Sequence, residues 1–310
     1  MDNAPVREFA PRTLDKVERL LCLLEEIGDH PVLRGKFALH GGTAINLFML
    51  DIPRLSVDID LSYIGALPRD EMLAERPAME QGIREVARAQ GYSVSGGEGE
   101  HAGRTFVLQY GSAWGPDHVK VDCIYMNRSP LLPISYGRCP LMPELGVPMF
   151  SDVELVGGKV KAFYDRVKVR DLYDIGNLKL SLDKCPAAER RLAHKVIVYY
   201  SSLSATFPHG FESRPERFVG LRRDMEEQLY PMLRTTNAMP KLDDLIAGAR
   251  DFVRDYVLPC DKQDCRYLDL FAEGVYRPAL LFENEEMARA AERSPVAQWK
   301  LMNIRRMPPR

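Results

Sequence analysis

Ser56-Val57-Asp58-Ile59-Asp60-Leu61-Ser62-Tyr63 decides the fold class, because polar and apolar residues alternate along it with a period of two. Such alternation is the mark of a strand with one buried face. It sets Asp58 and Asp60 side by side on one face, with Val57, Ile59 and Leu61 on the other. Two neighbouring carboxylates repel, and they remain ionised together most readily with a cation between them. Mg²⁺ suits such a pair, since it takes oxygen ligands from one or two carboxylates, substrate phosphates and water. Alone, an Asp-x-Asp pair is as readily the solvent face of a strand.

Working outward, Phe37-Ala38-Leu39-His40 reads as a short strand that runs into Gly41-Gly42-Thr43, and residues 44–50 look helical. Small residues at a strand-to-helix turn let backbone N–H groups approach a phosphate, and a helix N-terminus favours its charge. Thr43 adds a hydroxyl. Residues 13–27 carry Leu14, Val17, Leu20, Leu21, Leu24 and Ile27 at helical spacing. A further helix is expected over 69–90, then a turn at Gly96-Gly97. Strands follow at 104–110 and 118–125, joined by a loop containing Gly115-Pro116. In the second of these, Lys120, Asp122 and Ile124 face away from Val119, Val121 and Cys123, so Asp122 is the candidate for the third acid that a two-metal site requires. The order strand, Gly-Gly-Thr, helix, Asp-x-Asp strand, acid-bearing strand points to transfer of a nucleoside monophosphate from an NTP.

Residues 1–150 thus read as an α+β domain with a mixed sheet, and 151–310 as a helical domain. Ser151 and Glu154 form a capping-box pattern at the start of a helix reaching about residue 165. Helical patterns follow at 170–180, 187–202, 217–230, 241–256 and 285–293, the last with Asn284 as its cap, and Pro208, Pro231, Pro240, Pro259 and Pro295 punctuate them.

With 310 residues and 45% hydrophobic content, the chain has ample material for a core. There is no basic-then-apolar leader pattern at the N-terminus and no apolar run long enough to span a bilayer, so a cytoplasmic protein is expected. The six cysteines are scattered without a CxxC pair, which reads as reduced thiols rather than a zinc site. Net charge is only −2, yet residues 159–195 hold ten Lys or Arg against five Asp or Glu, and the tail adds Lys300, Arg305, Arg306 and Arg310. Such an excess is either a phosphate-binding surface or a solvated face. Trp114, Tyr125 and Tyr164 are large enough to stack on a base, though all three read better as core.

The stretch 154–175 is unusual. Leu155, Val156, Val160 and Phe163 form an apolar stripe, while Lys159, Arg166, Arg170 and Asp174 need not lie on it. A lysine here would neutralise a triphosphate as its leaving group gains charge. The other reading is a charged helix surface with pairs such as Arg170–Asp174.

Gly41-Gly42-Thr43-Ala44, Arg54-Leu55-Ser56-Val57-Asp58-Ile59-Asp60-Leu61, Lys159-Val160-Lys161-Ala162 and Arg170-Asp171-Leu172-Tyr173-Asp174 occur in this order. Together they resemble the motifs of the AbiEii/AbiGii toxin nucleotidyltransferases, a group that includes the MenT toxins within the DNA polymerase β-like superfamily. The match runs over roughly residues 10–180. The resemblance implies Asp58, Asp60 and Asp122 as metal-binding and catalytic acids, and Lys159 and Asp174 as the essential lysine and late aspartate. Gly41, Gly42, Thr43, Arg54, Ser56, Arg166 and Arg170 would hold the NTP. It further implies Mg²⁺ or Mn²⁺ as cofactor and a toxin of a toxin–antitoxin or phage-defence system, with a cognate antitoxin encoded nearby. The tRNA 3′ end is the acceptor hydroxyl it suggests, with translation blocked as a result. A protein or small-molecule hydroxyl as acceptor, and a nucleotide-binding module without turnover, are the competing expectations.

Overall fold

The computed structural model describes residues 8–65, 67–96, 102–126, 129–208, 211–258 and 261–306. Gly97, Pro259, Cys260 and Arg310 lie outside these described residues. The chain divides into two compact units: 1–150 with 232–237, and 151–231 with 238–310. The short return of 232–237 to the first unit has no counterpart in the sequence pattern.

The first unit opens with α1 (Pro11–Asp29), whose Leu14, Val17, Leu20, Leu21, Leu24 and Ile27 are all buried. Its seven-stranded sheet comprises β1 (Phe37–His40), β2 (Asp58–Tyr63), β3 (Ser93–Ser95), β4 (Gly103–Ser112), β5 (Gly115–Ile124), β6 (Ser135–Cys139) and β7 (Met142–Met149). The spatial order is β3-β4-β5-β2-β1-β7-β6. The sheet is mixed: β2 runs parallel to β5 and β1 parallel to β7, while the other neighbours are antiparallel. The strand β1 passes into a three-residue helical turn, α2 (Gly41–Thr43), which continues as a π-helical segment, Ala44–Met49. The helix α3 (Arg69–Ala89) follows β2. Two expectations change here. Gly115 and Pro116 belong to β5 rather than to a loop, so β4 and β5 form a tight hairpin. Strands β6 and β7, the latter carrying Pro143 and Pro148, were not expected.

The second unit is helical among its described residues. It contains α4 (Asp152–Asp165), α5 (Val169–Leu182), α6 (Ala187–Ser202), α7 (Arg222–Asp224), α8 (Leu242–Phe252), α9 (Lys262–Ala272), α10 (Glu285–Glu292) and α11 (Pro295–Arg306). Ser151 caps α4 by accepting from the Glu154 N–H at 3.4 Å, and Asn284 caps α10. The expected helix over 217–230 is instead a chain of short turns, Arg214–Phe218, Arg222–Asp224 and Met225–Leu229. Gly220, with φ of +92°, breaks it. Helices α9 and α11 were not expected. Asp261 caps α9 from outside any S/T-x-x-E pattern, accepting from the Gln263 and Asp264 N–H groups.

Candidate active site

On β2, Asp58 and Asp60 share the face that the alternation assigns them. Parallel pairing sets Asp58 opposite Lys120 and Asp60 opposite Asp122 on β5, and antiparallel pairing sets His40 of β1 opposite Asp60. Cross-strand partners present their side chains to the same face. One face therefore gathers Asp58, Asp60, Asp122, Lys120 and His40. The three acids are half-buried, and Lys120 is exposed. Behind them Ile59, Leu61, Val121 and Cys123 fill the core. The Thr105 hydroxyl on β4 donates to Asp122.

His40 carried no expectation of its own. Its ring stacks on Phe150 at 5.7 Å. Burial drives its pKa down to about 4, so it is neutral at physiological pH. The signal was legible in principle, since His40 alternates with Leu39 and ends a strand at the glycine pair.

The turn that follows is made for glycine. Gly41 has φ of +74°, and a Cβ there would lie 2.1 Å from a carboxylate oxygen of Asp60. Backbone conformation and contact both exclude a side chain. A Cβ on Gly42 would lie 3.1 Å from Ser56 Oγ and 3.2 Å from an Arg54 guanidinium nitrogen. Thr43, fully buried, donates its hydroxyl to the Asp58 carbonyl. The structure thus brings Gly41, Gly42, Thr43, Arg54, Ser56, Asp58 and Asp60 together, with Asp122 one strand away.

Arg54 and Ser56 are buried, and Arg54 donates to the Leu55 carbonyl at 2.8 Å. Their loop is fixed by the returning segment 232–237. The Leu55 N–H donates to the Met232 carbonyl at 2.8 Å, and Arg54 bridges to Leu233. Arg234 donates to the Asp51 carbonyl at 3.0 Å and pairs with Glu8. Leu233 and Arg234 sit in no motif, so nothing in the sequence announced this support.

The second unit holds a different cluster. Lys159 Nζ on α4 lies 3.0 Å from Asp171 and 2.7 Å from Asp174, both on α5. All three side chains are at most 3% exposed. Arg166 grips Asp171 with two parallel hydrogen bonds of 2.7 and 3.1 Å. Burial pushes the Asp171 carboxyl up, but Lys159 and Arg166 outweigh it and hold the group well below the usual carboxylate range. The charged-surface alternative therefore fails for Lys159 and Asp174. Asp171 was the overlooked member, although its i, i+3 spacing to Asp174 sets both on one side of a helix. Arg170 is half-buried on α5.

Gly157 on α4 is a packing device. A Cβ there would lie 2.5 Å from the Tyr200 ring and 2.9 Å from Val196, so its absence lets α4 and α6 approach. Gly158 meets nothing within 4 Å. Tyr125 and Tyr164 are core, but Trp114 is 47% exposed at the β4–β5 turn, contrary to the core reading. The five described cysteines are free. No described helix is long and apolar enough to cross a membrane.

The family described as nucleotidyl transferase AbiEii toxin, type IV TA system, matches residues 22–247, a span that includes both clusters. The chain belongs to the AbiEii nucleotidyltransferase toxin family. Membership makes it a nucleotidyltransferase of a toxin–antitoxin system, with a cognate antitoxin as partner. Among solved structures it is similar to MenT4, a nucleotidyltransferase toxin from Mycobacterium tuberculosis. The TM-score is 0.57 at 16% identity, over 90% of this chain and 92% of that one, and the two share a fold. It is also similar to JHP933 from Helicobacter pylori, with a TM-score of 0.49 at 13% identity, over 79% and 92% of the two chains. No curated protein matches the sequence.

Proposed function

We propose that this AbiEii protein transfers a nucleoside monophosphate from an NTP to the 3′ hydroxyl of tRNA in the cytoplasm. Such a cap would block aminoacylation and so translation, as a toxin or phage-defence effector. The observation that carries the reading is the convergence of Asp58, Asp60 and Asp122 on one sheet face beside the Gly41-Gly42 turn.

Mg²⁺ or Mn²⁺ is the cofactor this donor set fits. Among the described residues no three His, Cys, Asp or Glu side chains form a self-sufficient metal cage. An Mg²⁺ ion takes one or two protein carboxylates and completes its shell with substrate phosphates and water. Asp58 and Asp60 would be its main ligands, with Asp122 contributing from β5. When bound, the metal would neutralise charge on the triphosphate and polarise the reacting phosphoryl group.

The chain's own groups do the rest. Gly41 and Gly42 let Asp60, Ser56 and Arg54 close on the turn, whose backbone N–H groups would meet phosphate oxygens, and Thr43 fixes the backbone behind Asp58. Arg54 and Ser56 hold the triphosphate from the buried loop. Asp122, one oxygen of which accepts from the Thr105 hydroxyl, would orient or deprotonate the acceptor hydroxyl. Lys159 and Asp174 serve as the family's essential lysine and late aspartate, and Arg166 and Arg170 supply further positive charge.

The reading is tested with tRNA whose 3′ diol has been oxidised by periodate. Intact tRNA should accept label from one of four α-labelled NTPs, and oxidised tRNA should not. Equal labelling of both would move the acceptor elsewhere, and label in protein instead of RNA would favour a protein hydroxyl.

A further inference from the structure

A pocket of about 380 Å³ opens in the helical unit between the end of α4 and the segment after α6. Tyr164, Asp165, Thr206, Ser213, Arg214 and Arg217 line it. Its charges are unbalanced. Arg214 is 2% exposed, and its guanidinium donates to two carbonyls, Phe163 at 2.8 Å and Arg166 at 2.7 Å. No acid forms an ion pair with Arg214 among the described residues. Arg217 is exposed and has neither hydrogen bond nor ion pair among them. Beside the pocket, Lys300 Nζ also donates to carbonyls alone among the described residues, Ser204 at 2.7 Å and Phe207 at 3.2 Å. Asp165, the one acid among the described lining residues, is already engaged by Lys161 and by the Ala205 N–H.

Four cations thus surround one occupied carboxylate. A buried charge normally finds an opposite charge, and a guanidinium resting on carbonyls alone leaves its positive field uncancelled. Burial first, and then the neighbouring Arg217, lower the pKa of Arg214. Burial likewise lowers that of Lys300. Cations crowded in this way are relieved by an anion, and the planar fork of arginine matches phosphate oxygens. Through the Arg166 carbonyl, Arg214 also joins the pocket to the Lys159–Asp171–Arg166 cluster.

We propose that this pocket binds a phosphate of the acceptor RNA backbone, with Arg217 as the direct contact and Arg214 as the buried charge behind it. The assignment rests on the RNA-acceptor reading above, and its test separates the two. Because Arg217 is exposed, Arg217→Gln leaves the fold intact. Arg289→Gln on α10, where Arg289 pairs with the exposed Glu285 and with no other acid among the described residues, is the charge-matched control. Binding of the full chain to tRNA is measured over a range of salt concentrations, and binding of a fluorescent NTP analogue alongside it. Loss of one phosphate contact flattens the slope of log K against log salt by about 0.7–0.9. The expected result is that change for Arg217→Gln, none for Arg289→Gln, and unchanged NTP affinity. Weakened NTP binding with an unchanged tRNA slope would assign the pocket to a free nucleotide and overturn the proposal. Equal slopes for both variants and the wild type would overturn it outright. A flattened slope in a protein that nonetheless labels no tRNA would uphold the pocket while refuting the acceptor reading.

Discussion

The two motif-bearing regions of the chain treat charge in opposite ways. On the sheet face, acid sits beside acid: Asp60 is the cross-strand partner of Asp122 and shares a face with Asp58, all half-buried. In the helical unit, Lys159 sits between Asp171 and Asp174, all three inside the protein, and Arg166 closes the set. The first arrangement sets like charges side by side, where a bound cation would be favoured. The second is internally compensated, and removing any member strands a buried charge. Both lie in family motifs, so a motif by itself does not say whether a residue reacts or holds structure.

The sharpest way to break this comparison is Asp60→Asn, which keeps shape and removes charge. Metal-assisted stabilisation of the reacting phosphoryl group amounts to several kcal/mol, so nucleotide transfer should fall by about 10³-fold, at about 1.4 kcal/mol per tenfold. The melting temperature should hold or rise as repulsion is removed. Asp171→Ala should show the reverse emphasis in stability, losing about 3–5 kcal/mol by denaturant titration because Lys159 is left with a broken buried pair. Acid sharpens this further. The folded carboxyl is held below its unfolded value near 3.9, so its contribution is present above that pH and lost as pH falls below it. Asp171→Asn should flatten the acid limb of the stability profile.

Gly157→Ala is a smaller test, confined to the helical unit. Its Cβ would press on Tyr200 and Val196, and overpacking of this kind costs about 1–3 kcal/mol. A melting temperature equal to wild type would show that α4 and α6 tolerate a wider spacing. The smallest effect belongs to His40. Its folded pKa of about 4 lies below the unfolded value near 6.5, so the unfolded chain gains protons first on acidification. Stability should therefore decline as pH falls from about 6.5 to 4, and His40→Gln should remove that slope.

Much of the sheet face was legible because strand alternation is a local property. Asp58, Asp60 and Asp122 need only the period of two to be placed on their faces, and β2–β5 pairing then sets them in register. The Ser151 and Asn284 caps were legible for the same reason. What escaped depends on contacts far apart in sequence. The return of 232–237 to brace Arg54 spans about 180 residues and uses a carbonyl and a bridge that any sequence supplies. Asp171 escaped because its spacing puts it on the side of α5 that Asp174 shares, but not against Lys159, which only the packing of α4 on α5 supplies. The hairpin at Gly115 was misread since Gly-Pro signals a loop as readily as the start of a strand. Trp114 was misassigned because size alone does not tell a core aromatic from one at a hairpin tip.

The account stands most directly on one assay: wild type and Asp60→Ala side by side, each incubated with total tRNA, Mg²⁺ and the four α-labelled NTPs in turn. It predicts a labelled tRNA band with wild type, absent when Mg²⁺ is chelated and absent in the Asp60→Ala protein, whose fold is checked by its melting curve. A band of equal strength from a folded Asp60→Ala protein would contradict it, because the sheet-face carboxylates would then not be where the chemistry occurs.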